Sequence, residues 1–122
     1  MTDPRIDVRA EPGVVRAATH VRWMSMGLAP EFCDAIQTAA RETGAVGLVM
    51  DLNSLGQATP RAGIYAIKAL KVMPVGRIAL VGGNRFMRAF ARVTLSLGRF
   101  PEFAFFDSSE AATSWAGAPP GR

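Results

Sequence analysis

Gly76–Phe100 reads GRIALVGGNRFMRAFARVTLSLGRF, a strand, a tight turn and a helix in immediate succession. Ile78, Ala79, Leu80 and Val81 form a continuous apolar run of strand length, the pattern of a strand covered on both faces in a largely parallel sheet. Gly82 and Gly83 interrupt the run, and Asn84 is a good N-cap for the helix that follows. At about 3.6 residues per turn, Phe86, Phe90, Val93 and Leu97 share one face, while Arg85, Arg88, Arg92 and Arg99 share roughly the opposite one. The helix is therefore strongly amphipathic. Leu95 is expected to project beside the arginine row as an exposed leucine.

Working outward, the same grammar recurs on both sides. Upstream, Ala45–Leu52 (AVGLVMDL) is another buried strand, ended by Asp51 and Asn53. Thr59-Pro60 is a cap followed by a proline at the first helical position, starting a helix that reaches about Val72, with Pro74 stopping its continuation. Ile64, Tyr65, Ile67, Leu70, Val72 and Met73 spread round most of that helix, leaving a narrow line for Lys68 and Lys71. Before it, Pro30, Glu31, Asp34 and Gly44 punctuate a helix over Pro30–Thr43 with Phe32 and Ile36 inward. The start of the chain alternates: Ile6 and Val8, a turn at Glu11-Pro12-Gly13, then Val15, Ala17, Thr19, Val21 and Trp23 on one side of a second strand paired with the first as a hairpin. Trp23–Leu28 is expected to be a flexible apolar connection. Downstream, Glu102–Phe106 is a fifth strand, and Asp107 with Glu110 forms a variant capping box for a last helix ending near Trp115.

The order implies a single α/β domain over residues 1–122, with a mixed, largely parallel five-stranded sheet, an N-terminal hairpin and about four helices. Right-handed crossovers would gather the loops after the parallel strands at one edge. Residues 1–4 and 117–122 are expected to be flexible ends.

Composition excludes several function classes. Cys33 is the only cysteine and His20 the only histidine, so neither an internal disulfide nor a soft-ligand metal site is expected. No basic partner is placed to activate Cys33, and His20 falls on the polar face of its strand beside two arginines, where solvation explains it. No apolar run approaches the roughly 20 residues of a membrane span, and Asp3, Arg5 and Asp7 break the start; a cytoplasmic location follows as the expectation. Catalytic signatures are missing: no nucleophile elbow, no paired-histidine metalloprotease motif, no phosphate loop. Asp51 is the best single candidate for a general base, and a carboxylate there is ordinary turn chemistry. The reading is of a non-enzyme that needs no cofactor.

Charge is unevenly placed. The net charge is +4, yet no Asp or Glu occurs between Leu52 and Pro101, a stretch holding Arg61, Lys68, Lys71, Arg77, Arg85, Arg88, Arg92 and Arg99. Clustered in space, these would attract an anionic partner: phospholipid, nucleotide phosphate or acidic protein. Nucleic acid is not expected, because the basic stretch lacks interleaved surface aromatics and any recognised binding motif.

In element order over nearly its whole length, and in GLVMDLNSL, GRIALVGGNRF and FFDSSEAATSW, the chain resembles the STAS superfamily, more closely its SpoIIAA-like branch, whose fold has been likened to the CRAL-TRIO lipid carrier. The resemblance implies a bacterial, cytoplasmic binding protein. In its anti-anti-sigma members an Asp-Ser-Ser-Gly motif before the second helix carries a phosphorylated serine. Counting from Asp51, Thr59, Pro60, Arg61 and Ala62 stand there, with Pro60 and Arg61 in place of the serines. Thr59 could accept a phosphate at a helix N-terminus, but capping explains it, and the switch is not expected.

Two readings follow. In the first, the chain is a non-catalytic regulatory module contacting a protein partner or a second copy through Ile64, Ile67, Lys68, Lys71, Arg88 and Arg92. In the second, it is a small carrier or sensor of an acidic lipid-like ligand, making at most peripheral membrane contact. Its pocket would be built from Trp23, Met24, Met26 and Leu55, with Gly82, Gly83, Asn84, Arg85, Phe86 and Met87 supplying an anion-binding turn and an apolar wall. A homodimer is compatible with both. An open apolar patch over the second helix favours the first, an enclosed cavity under Met24, Met26 and Phe86 the second.

Overall fold

A computed structural model describes residues 5–55, 57–72, 75–98 and 102–118. Met73, Pro74, Arg99 and, of the ends expected to be flexible, residues 1–4 and 119–122 lie outside the described residues; Gly117 and Ala118, expected to belong to the flexible tail, instead donate to the Thr113 and Trp115 carbonyls at the end of the last helix. The elements are β1 (Ile6–Glu11), β2 (Val14–Thr19), β3 (Trp23–Met24), α1 (Ala29–Thr43), β4 (Gly47–Asp51), β5 (Gln57–Ala58), α2 (Pro60–Lys71), β6 (Arg77–Val81), α3 (Arg85–Leu97), β7 (Phe103–Phe106) and α4 (Ser109–Ala116).

The main sheet has five strands in the order β1-β2-β4-β6-β7. β1 pairs antiparallel with β2 as a hairpin, and the remaining neighbours are parallel. This is the mixed, largely parallel α/β sheet that the apolar runs imply. Alternation sorts its side chains into two layers. Val15, Ala17, Leu48, Ile78 and Leu80 face a large core built with α1, α2 and α3. Val14, Val49, Ala79 and Val81 face a smaller one closed by Ala112 and Ala116 of α4. Helices on both faces explain why these strands are apolar throughout.

The helix ends follow from local chemistry. Gly44 ends α1 in the left-handed region, at φ 65°, donating its N–H to the Ala40 carbonyl. Thr59 Oγ1 accepts from Ala62 N at the start of α2, and Asn84 Oδ1 accepts from Met87 N at the start of α3. At α4 the cap is Ser108, which accepts from Ala111 N, and not Asp107. Asp107 is exposed instead, with Arg88 at 4.0 Å.

The second strand is shorter than its alternation suggests. It ends at Thr19, where His20 N donates back to the Arg5 carbonyl. Trp23 and Met24 then form a separate two-stranded parallel sheet with Gln57 and Ala58. The segment expected to be a flexible connection is thus tied down: Gln57 N donates to the Arg22 carbonyl and Thr59 N to the Met24 carbonyl, fixing the loop before α2 against the loop before α1.

Arg16 and Arg77 fasten α4 to the sheet. Arg16 pairs with Glu11 and donates to Thr113 and Ser109. Arg77 donates to the Trp115 carbonyl and to Glu102, its guanidinium 5.1 Å from the centre of the Trp115 ring. Beneath them α4 comes so close that a Cβ on Gly47 would lie 2.1 Å from the Ala116 carbonyl oxygen. Gly47→Ala should therefore cost about 1–3 kcal/mol by overpacking, read as a lowered denaturant midpoint. Gly76→Ala, whose Cβ would meet nothing nearer than 3.9 Å, should change stability by less than about 0.5 kcal/mol. Equal effects would show that α4 does not sit on β4 as described.

Candidate functional site

The connections that leave the parallel strands do collect at one edge. His20, Arg22, Asn53, Ser54 and Asn84 line an open polar cleft there, with Val21 and Leu55. Its inner corner is the turn between β6 and α3. Gly82 and Gly83 both have positive φ, 67° and 90°, a conformation that favours glycine. The Asn53 side chain lies over them: a Cβ on Gly82 would be 2.0 Å from Asn53 Oδ1, and the Gly83 N–H donates to that oxygen at 3.3 Å. Asn53 is itself held by Asp51, whose Oδ1 accepts from its N–H at 2.8 Å. Two amides of the expected anion-binding turn, Gly83 and Met87, thus already have side-chain acceptors within the chain. Asp51 has a structural partner as well, in keeping with turn chemistry.

Between the sheet and the helices α1–α3 lies a cavity of about 100 Å³ with almost wholly apolar walls. Met24, Leu55 and Met87 line it, together with Phe32, Cys33 and Phe90. Trp23, Met26 and Phe86 do not; they are exposed. The structure therefore brings together three of the six apolar residues expected to form a pocket and leaves the other three in solvent. Arg85 is likewise exposed.

The third feature is the shoulder where α2 meets α3. The two helices approach closely because each offers a glycine to the other. Phe90 reaches Gly63, where a Cβ would come within 2.6 Å of the ring, and Ile67 reaches Gly98, where one would come within 2.4 Å. Ile67 is accordingly half-buried, and of the residues expected on the docking face Ile64, Lys68, Lys71 and Arg92 are exposed. Arg88 is half-buried. The guanidinium groups of Arg88 and Arg92 stand 5.1 and 5.0 Å from the centre of the Phe105 ring on β7, within cation–π range.

This reverses the expected orientation of α3. Met87, Ala91 and Leu95 are its buried residues, with Leu95 only 5% exposed. Phe86, Val93 and Leu97 are 71%, 56% and 79% exposed. The arginines lie beside the buried stripe because they cover the aromatic face of the edge strand. Ile64, 57% exposed on α2, extends the outer apolar surface across the seam. The signal for this was the second apolar series Met87-Ala91-Leu95, at the same helical spacing, and the two glycines that let the helices close on each other.

Among the described residues no group of three or more His, Cys, Asp or Glu could hold a metal, and no helix is long and apolar enough to cross a membrane.

The sequence matches no family model and no curated protein. The architecture does match solved structures, and it is the SpoIIAA-like fold. A DUF3478-family protein with a SpoIIAA-like fold from Shewanella loihica PV-4 superposes with a TM-score of 0.69 at 19% identity, over 95% of this chain and 98% of that one. The anti-sigma factor antagonist SpoIIAA in its unphosphorylated form gives 0.63 at 12% identity, over 93% and 98%. A protein assigned as an anti-sigma factor antagonist from Thermotoga maritima gives 0.62 at 14% identity, over 93% and 95%.

Burial, with a smaller contribution from Asp34, pushes the Cys33 thiol up to about 11 from an ordinary 9.0. The protonated thiol is favoured in the fold, so its contribution is complete below pH 9 and is lost as pH rises through about 11. The wild type should then lose roughly 2–3 kcal/mol more stability across that window than Cys33→Ala. Denaturant melts at pH 8.5 and 11.5 check this, and parallel pH profiles would refute it.

Proposed function

We propose that this chain is a non-catalytic regulatory module that works by binding another protein, with the α2–α3 shoulder as its docking surface. The observation that carries the proposal is the outward display of Ile64, Phe86, Val93 and Leu97 on adjoining helices. Contiguous exposed apolar surface beyond a few hundred Å² is uncommon on a monomer and marks interaction sites. The likeness of the fold to two anti-sigma factor antagonists supports a role in binding, although Pro60 and Arg61 stand where those proteins' family carries its serines. Ile64 is a better probe of this surface than Ile67, because Ile67 packs against Gly98.

The carrier reading draws less support. A cavity of about 100 Å³ is smaller than the engineered cavity of about 150 Å³ that takes a benzene, and a fatty-acyl chain is several times that size. Trp23, Met26 and Phe86 are also outside it.

Native mass spectrometry of the protein isolated from its own host, before and after organic extraction, tests the choice. The expected result is a complex with a second protein at fixed stoichiometry and no extractable lipid-sized mass. A lipid-sized mass carried by the protein alone would overturn the proposal in favour of a carrier.

A further inference from the structure

We infer that the occupant of the α2–α3 shoulder is an amphipathic helix of a partner protein, with one apolar stripe and carboxylates along both of its flanks. This rests on the regulatory reading above and specifies its partner's chemistry. At about 100° per residue, Phe86, Val93 and Leu97 fall within about 40° of one another on α3. They make a single straight stripe about 16 Å long, roughly three turns, with Ile64 beside it on the neighbouring helix. Stripes of this spacing are matched by helices that lay their own i, i+3, i+4, i+7 residues along them.

The borders specify the charge. On the α2 side, Lys68 and Lys71 follow Ile64 at helical spacing and are exposed. On the α3 side, Arg85 and Arg92 are exposed. Neither helix contains an Asp or Glu, so cations border the stripe on both long sides with no acidic residue of α2 or α3 among them. A partner supplying carboxylates at both margins gains attraction and faster association. A second copy is disfavoured, because a two-fold pairing of this surface would bring cation margins against each other, Lys68 and Lys71 facing either lysines or Arg92 of the other copy, with no acid of α2 or α3 to pair them. The stripe is one helix wide and bounded by charge on both sides, dimensions that suit a helix rather than a lipid surface.

The test uses the full chain labelled with 15N and two synthetic helices of about 14 residues, identical in a leucine stripe and carrying either Glu or Lys on both flanks. The Glu helix is expected to shift the amides of Ile64, Val93 and Leu97, to weaken as salt rises, and to bind at least tenfold more tightly than the Lys helix. Val93→Gln with Leu97→Gln, and separately Lys68→Gln with Arg92→Gln, should each weaken it at least tenfold while circular dichroism stays unchanged. Equal affinity for both helices, no binding of the Glu helix, self-association through these residues, or capture by phosphatidylglycerol vesicles that the Glu helix does not displace would each overturn the inference. The partner isolated from the host separates the two levels. A partner retained by the Val93→Gln, Leu97→Gln variant overturns this surface and leaves the regulatory reading standing, whereas absence of any protein partner overturns both.

Discussion

Gly47–Asp51 has a parallel neighbour hydrogen-bonded along each edge and a helix layer over each face, so the rest of the fold is arranged to keep β4 out of water. Its backbone groups find partners only if β2 and β6 lie in register beside it. Its side chains can be buried on both sides only if two layers are built. Leu48 requires the layer of α1–α3, and Val49 requires α4. Gly47 then determines how near α4 can come, because its missing side chain is the space into which the Ala116 carbonyl fits. The small residues of α4 and the Arg16 and Arg77 ties follow from that spacing: a helix seated on backbone has room for alanine beneath it and is anchored from its margins.

Much of this was legible in the chain because the interactions that decide it are local. Apolar runs between turn residues specify two-sided strands, and Thr59-Pro60, Asn84 and Gly44 act as caps within three or four residues of what they bind. The small β3–β5 sheet was not legible. Two residues on each side carry no periodicity, and Trp23 reads as the end of an alternating strand while Met24 reads as part of a connection. Only the three-dimensional meeting of the loops before α1 and α2 distinguishes the two. The cap at α4 differs by one residue because Asp107 and Ser108 are both competent caps, and in the fold Ser108 is the one that accepts from Ala111 N.

The candidate site was less legible, for a related reason. The apolar arc of α3 is too wide to specify a direction: Phe86-Phe90-Val93-Leu97 and Met87-Ala91-Leu95 are both helical stripes. The larger side chains suggested the core. What decides it is volume, since the seam with α2 is held close by Gly63 and Gly98 and the edge strand presents Phe105, on which Arg88 and Arg92 lie. Methylene stems and planar guanidinium groups cover an aromatic edge while keeping their charge near water. An arginine row can therefore border a core, and its presence does not identify the solvent side of a helix.

The two faces of the sheet have different work to do. Under α4 contacts are backbone-close, and added volume has nowhere to go. On the other side the helices enclose a cavity and leave Phe86, Val93, Leu97 and Ile64 outside. Burial of such side chains is worth roughly 1.5–3 kcal/mol each, and displaying them in water forgoes that gain. Replacing them with polar residues would cost the isolated domain little, so the fold does not account for their being apolar. The docking contact proposed above would account for them, and the cations along the same shoulder would set its charge: the surface is apolar in its middle, positive at its margins and without an acid on either helix, a pattern that complements a partner of the opposite sign better than another copy of itself.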